Sequence, residues 1–375
     1  MGERVSFCKD VKMKLRFLLC VCLLIGVGVT QAETSALTWR IGAMVCLSGG
    51  CAETGVNSLN GAKLAAAELN SSGGVLGRNI ELVAEDTAEA ASGAAAVTAF
   101  RKLRQDSSIR YFVGPSWTTG GLSIAPIAAR MKDIIAVSPS LGVADYNEAG
   151  DNIFNVWPHD DAAVRGVAKF AVGKGWTRVA IFSSQQPWES LQGDVFAEEF
   201  PKLGGTITAK EEPLHTTTDL RAEALRIIKS QPQAVFLSNY TQMGISSKEL
   251  RRSGFKGEII AILMDEQRLA ESAGALDGAF YAGYPESAGG FIKNYILKYG
   301  SKPGIAADTG YDTIQVLAAA VKAAGTFDVD KVKPEILKLK YKGASGELVF
   351  DEHGGVRKPF VIYQVKGKER LVVGK

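Results

Sequence analysis

Between residues 59 and 69 the apolar side chains of Leu59, Ala62, Ala66 and Leu69 recur at steps of three and four, which places them on one face of a helix. Asn70 follows the stripe, and Gly73 with Gly74 offers the left-handed geometry that ends a helix. On either side the pattern changes to short apolar runs bounded by turn residues. One covers residues 39–45; the other holds Ile80, Leu82 and Val83 and ends in Glu85 and Asp86. Such runs read as buried strands, so the segment predicts a βαβ unit.

The alternation persists downstream. Residues 110–113 read as a strand, 118–131 as a helix with Pro126 as a kink, and 134–137 as a strand. A second series follows, with helices over 162–172 and 190–203 and strands over 179–182 and 206–209. Asp219 can cap a helix carrying Leu220, Ala224, Ile227 and Ile228; a strand at 234–237, a helix to Arg252 and a strand at 258–263 come next. Strands alternating with helices imply mostly parallel sheets covered on both faces. A chain of 375 residues exceeds one compact core, so two lobes are expected, with the break near Trp157 and Pro158.

The N-terminus speaks to compartment. Lys12, Lys14 and Arg16 precede an apolar run over 17–29, and Thr30, Gln31 and Ala32 supply small residues near a cleavage point, the pattern of a secretory signal over residues 1–32. Residues 1–12 read as an extension before a start at Met13. The run is shorter than the roughly 20 apolar residues of a membrane span. Removing residues 1–32 takes five of the 43 basic and two of the 40 acidic residues, leaving 38 of each. A neutral mature chain without a basic cluster argues against a nucleic-acid partner. Of the five cysteines only Cys46 and Cys51 remain after cleavage. In an oxidising compartment such a pair reads as a bridge that stiffens its loop; the alternative is one buried strand-end thiol and one unpaired loop thiol.

Enzyme signatures are missing. His159, His215 and His353 sit in separate turn-like segments without metal-ligand spacing, and no nucleophile elbow, zinc-protease helix, phosphate loop or dinucleotide fingerprint occurs. Asp160 and Asp161, beside Pro158, read as helix caps. Asp265 and Glu266 are adjacent on an extended segment and so point to opposite faces. The local candidate for binding is residues 114–119, after a strand and before a helix. There Ser116, Thr118 and Thr119 offer hydroxyls beside unpaired backbone N–H groups, which suits a carboxylate; ordinary capping is the alternative.

The stretch LSGGCAETGVNSLNGAKLAAAELNSSGGVLGRNIELVAED resembles the first βαβ unit of the periplasmic branched-chain amino-acid binding proteins, the leucine-binding group of ABC-transporter receptors. The likeness continues through VGPSWTTGGLSIAPIAA, AVSPS, TRVAIFSS, GFKGEIIAILMDE and GELVFDEHGG. The resemblance implies two doubly wound, Rossmann-like α/β lobes with parallel central sheets joined by a three-strand hinge, the type I periplasmic-binding fold. It assigns residues 36–157 plus 284–345 to one lobe and 158–283 plus 346–375 to the other. Helices at 291–299 and 306–324 would return to the first lobe, and strands at 348–350 and 360–365 would run to the second.

The resemblance also implies a monomeric, non-enzymatic periplasmic receptor without cofactor or metal that takes an amino acid or related small carboxylate to a membrane permease. A receptor that signals to a membrane sensor is the alternative. Similar proteins hold the ligand carboxylate with a hydroxyl matching Thr118 and backbone groups matching Ser140 and Gly142, on either side of Leu141. They hold the ammonium with an acid, here Asp265 or Glu266, and close the site with an aromatic matching Tyr240. The chain departs from relatives at Thr54, where an aromatic is common, at Gly142, where some have Thr, and at Pro187 with Trp188. With Trp117 added, Trp117, Trp188 and Tyr240 could line a site for a flat or aromatic ligand, or simply pack.

Overall fold

The computed structural model describes residues 37–88, 93–367 and 369–374, so the signal expected over 1–32 lies outside the described residues. The opening unit forms as its periodicity requires: β1 (Thr38–Val45), α1 (Ala52–Ser71) and β2 (Asn79–Asp86), with β2 parallel to β1. Asn70 does more than end the helix. Its side chain donates to the Ile80 carbonyl at 2.9 Å and accepts from the Ile80 amide at 2.7 Å, pinning the returning strand. Gly73 and Gly74 turn the chain with φ of 93° and 75°.

Four more elements in sequence, α2 (Gly93–Leu103), β3 (Tyr111–Val113), α3 (Thr118–Ala128) and β4 (Ile135–Ser138), extend the unit, and α4 (Ala144–Asn147) with β5 (Ile153–Asn155) completes a parallel sheet of order β2-β1-β3-β4-β5. The second series gives α5 (Asp161–Gly173), β6 (Arg178–Phe182), α6 (Pro187–Lys202), β7 (Thr206–Glu211), α7 (Arg221–Lys229), β8 (Ala234–Leu237), α8 (Met243–Arg252), β9 (Glu258–Ile262), α9 (Glu266–Glu271) and β10 (Phe280–Gly283). The remainder contributes α10 (Gly289–Tyr299), α11 (Ala307–Ala324), α12 (Val329–Lys338), a β11 (Lys340–Gly343) to β12 (Gly346–Val349) hairpin, β13 (Val361–Lys366) and β14 (Glu369–Gly374).

The second sheet has order β14-β13-β10-β9-β8-β6-β7. It is mostly parallel, as expected, from β10 to β7, and becomes mixed at its other edge. β13 runs antiparallel to β10, and β14 runs antiparallel to β13 because the short link between these two can only make a hairpin.

After β10 the chain returns to the first sheet. α11 lies on α1 with the backbones touching. A Cβ on Gly61 would stand 1.8 Å from the Ala307 carbonyl oxygen, and one on Gly310 would stand 2.2 Å from that of Ser58. Ile314, Leu317 and Val321 of α11 then share a core with Ile41, Tyr111 and Val137. Burying each such side chain contributes roughly 1.5–3 kcal/mol. Leu348 and Phe350 also sit in this core, with the Phe350 ring edge-on to Phe154, before the chain passes on to β13. Val356, on that passage, bridges to Pro158 on the first one.

The hairpin turn is held by Asp312 of α11. Its fully buried carboxylate accepts from the amides of Ala344 and Ser345 at 2.7 and 2.8 Å and from the Ser345 hydroxyl at 2.5 Å. Lys358 Nζ donates in turn to Ser345 Oγ. Burial pushes the Asp312 carboxyl up to about 6, against these donors and the Lys358 charge. The folded state therefore keeps a proton that the unfolded chain has released, and stability falls as pH rises through this window. The stability of wild type relative to Asp312→Asn should drop by about 2 kcal/mol between pH 4 and pH 7. Urea unfolding of both proteins at the two pH values checks it; a difference independent of pH would refute it.

Candidate functional site

In open α/β sheets ligands bind beyond the carboxyl ends of the strands where the strand order reverses. The first sheet reverses between β1 and β3, and the loops there carry Cys46 to Cys51 and residues 114–119. The second reverses between β6 and β8, and its loops carry Ser183 to Gln186 and Ser238 to Tyr240. These two crevices face one another. Thr54, Trp117, Thr118 and Ser140 from the first side and Trp157, Asp160, Gln186, Trp188, Tyr240, Leu263 and Ile305 line one narrow pocket of about 50 Å³. Three of these, Trp157, Leu263 and Ile305, also border a wider, more polar cavity of about 570 Å³.

On the first side the loop after β3 is braced from behind. Ser116 is fully buried, and its hydroxyl accepts from the Cys46 amide at 2.8 Å, so it supports the pocket and does not line it. Ser140 Oγ donates to the Ser116 carbonyl at 2.8 Å, which leaves its lone pairs for an incoming donor, while its amide is directed to Ser138 Oγ at 3.2 Å. Thr118 opens α3 and lines the pocket directly. Thr119 meets Gln186 Nε2 across the cleft at 3.5 Å. Leu141 is buried against Gly121, away from the pocket. Cys46 and Cys51 stand with their Cα atoms 5.8 Å apart where β1 meets the start of α1, within reach of a bridge.

On the second side Gln186 caps α6 by accepting from the Glu189 amide at 3.0 Å, with Pro187 at the first helical position. This sets Trp188 in the wall, its ring edge-on to Tyr240 at 6.2 Å; Trp117 approaches the same Tyr240 from the other side of the cleft at 6.5 Å. Tyr240 is fixed from behind as well. Its hydroxyl donates to Asp265 Oδ2, and the Arg268 guanidinium lies 4.7 Å from its ring centroid. Asp265 also caps α9 through the Arg268 amide at 2.8 Å. Glu266 is exposed and pairs with Arg370 at 2.8 Å, on the wider cavity. The two acids read from the sequence thus stand one layer behind Tyr240 and to one side of the narrow pocket.

Several residues that shape the site escaped the sequence reading. Asp160 occupies the cap position of α5, yet its side chain makes no capping bond. It turns into the pocket instead and accepts from Trp157 Nε1 at 3.1 Å, Trp188 Nε1 at 2.8 Å and the Tyr284 hydroxyl at 2.7 Å. Complete burial pushes its carboxyl up to about 7 against the pull of those three donors. Gly142 has a reason here too: a Cβ would stand 1.7 Å from Asp160 Oδ2. Glu189 is buried under the loop that carries Tyr240, accepting from the Thr241 amide at 2.7 Å and from Ser184 Oγ. Leu263, at the end of β9, holds φ of 56°, a strained conformation for leucine that costs about 1–3 kcal/mol and turns the chain at the pocket.

Among the described residues no cluster of His, Cys, Asp and Glu could hold a metal, and no helix is long and apolar enough to cross a membrane. The family described as periplasmic binding protein matches residues 38–370, nearly the whole of the described chain. The chain belongs to the periplasmic binding protein family. Members are periplasmic, bind small molecules without catalysing their conversion and work with ABC-transporter permeases.

This periplasmic binding protein is 24% identical to the Leu/Ile/Val-binding protein BraC3 of Rhizobium johnstonii over 84% of its own length and 88% of that protein. It is similar in structure to the leucine binding protein LivK of Thermotoga maritima, with a TM-score of 0.83 at 25% identity, covering 89% of this chain and 97% of that one. A solute binding protein of an ABC transporter from R. palustris, solved in complex with benzoate, shares the fold with a TM-score of 0.80 at 17% identity, over 90% of this chain and 96% of that one. The type I periplasmic-binding architecture follows from these likenesses and from the two sheets.

Proposed function

We propose that this periplasmic binding protein closes on an amino acid or a related small carboxylate and hands it to an ABC permease. One observation carries the reading: the pocket lies where the reversal points of two doubly wound sheets meet, with Thr118 and Ser140 on one side and Trp188 and Tyr240 on the other. The Thr118 hydroxyl at the start of α3 suits the carboxylate, and the free lone pairs of Ser140 Oγ suit a donor on the ligand. The hinge is proposed to be the three passages near residues 157, 284 and 351–356, with 36–157 plus 284–350 in one lobe. Asp265 is proposed to act on the ligand through Tyr240, which it orients. Trp117, Trp157, Trp188 and Tyr240 favour a ligand with a flat, aromatic body over a branched aliphatic one.

Denaturing the purified protein and identifying the released small molecule by mass spectrometry tests the reading; a released molecule without a carboxylate would overturn it. With that molecule in hand, Thr118→Val should weaken binding by about 1–3 kcal/mol through a lost hydrogen bond to charge. Calorimetry decides, and unchanged affinity removes Thr118 from the site. The Cys46–Cys51 bridge is proposed to be present in the exported protein, where it would join the end of β1 to the start of α1. Two thiols reactive in the unreduced protein would exclude it.

A further inference from the structure

Asp160 is the one charged side chain among the residues lining the narrow pocket, and it is also where the pocket meets the passages between the sheets. Its Oδ1 accepts from Trp157, on the first passage, and from Tyr284, directly after β10 on the second. Its Oδ2 accepts from Trp188, in the pocket wall. The Asp160 amide donates to the Gly142 carbonyl at 3.1 Å, reaching back to the first-sheet side. Trp157 and Tyr284 pack edge to face at 5.4 Å, and the Tyr284 carbonyl accepts from the Tyr363 hydroxyl of β13 at 3.0 Å. One buried residue therefore bonds to four places in the chain, three of them through its carboxylate.

We infer that Asp160 is a positioning residue that couples the pocket wall at Trp188 to the interlobe passages at Trp157 and Tyr284. This deepens the receptor reading proposed above by naming the link between ligand pocket and hinge. The chemistry of the partners makes the link specific to a carboxylate. An indole N–H can only donate, and the two indoles address different oxygens. An amide of the same size has one accepting atom and one donating atom, so either orientation satisfies one tryptophan and sets a donor against the other.

Hydrogen exchange of the full-length, unliganded protein reads this without needing the ligand, so its outcome is independent of whether the receptor reading holds. Asp160→Asn should raise exchange about tenfold or more at the amides of Trp157 and Asp160, around Tyr284 and in the first turn of α6, leaving the strand centres unchanged. Adding Trp188→Phe removes the donor that the new amide opposes, and should return the passages to within about threefold of the Trp188→Phe protein alone. A uniform rise across both sheets, no rise at the passages, or no rescue would each overturn the inference. Should Asp160→Asn fail to fold, Tyr284→Phe removes a single hydroxyl. Faster exchange in the first turn of α6, which Tyr284 reaches through Asp160, supports the coupling; a change confined to the neighbours of residue 284 refutes it.

Discussion

Gly61→Ala should cost about 3 kcal/mol of folding stability, although alanine is the better helix former by about 1 kcal/mol. The added methyl would lie 1.8 Å from the Ala307 carbonyl oxygen, a backbone atom that no rotamer change can move. The helices would have to separate, and α11 cannot retreat because Ile314, Leu317 and Val321 are committed to the core beneath it. α1 is equally fixed by Ala62, Ala65 and Ala66. Gly290 of α10 supplies the control: a Cβ there meets nothing, so Gly290→Ala should be neutral or gain up to about 1 kcal/mol. Opposite signs for the two changes, measured by urea unfolding, are the expected result. Equal effects would show that α1 and α11 do not touch through backbone.

Trp188→Ala should be comparably severe, at about 3–5 kcal/mol, and should also abolish recognition of the native solute. The indole is nearly buried in the core of the second sheet, meets Tyr240 edge-on and gives its N–H to Asp160. Its removal empties the wall of a pocket of only about 50 Å³ and leaves Asp160 Oδ2 without its donor. Trp188→Phe keeps the edge contact and loses only the hydrogen bond, so it should retain most of the stability. Unfolding curves with calorimetry on the solute recovered from the native protein separate the two effects. Retention of both stability and affinity in Trp188→Ala would remove this residue from the site.

Local pattern carried much of the architecture. The stripe of Leu59, Ala62 and Ala66, the short apolar runs and the paired glycines after α1 encode β1, α1 and β2 because each depends on neighbours a few positions away. The hydroxyl-rich loop before α3 was legible for the same reason. What was hidden depends on partners far along the chain. Asp160 beside Pro158 has the look of a cap, yet two of its partners lie 28 and 124 positions away. Asp265 follows β9 and caps α9, but the tyrosine that engages it stands 25 positions earlier. The β11–β12 hairpin and the antiparallel β13 and β14 are short, and their placement is decided by Asp312, Phe154 and β10, which no local spacing reveals.

The interleaving of the strands has a consequence for synthesis. Because β13 is laid beside β10 only after α10, α11 and α12 have gone back to cover the first sheet, neither half is encoded by one continuous piece of gene. A growing polypeptide cannot complete its second sheet until β13 and β14 have been made, so a fragment ending at β10 would expose an unpaired strand edge and lack the helix that seals α1.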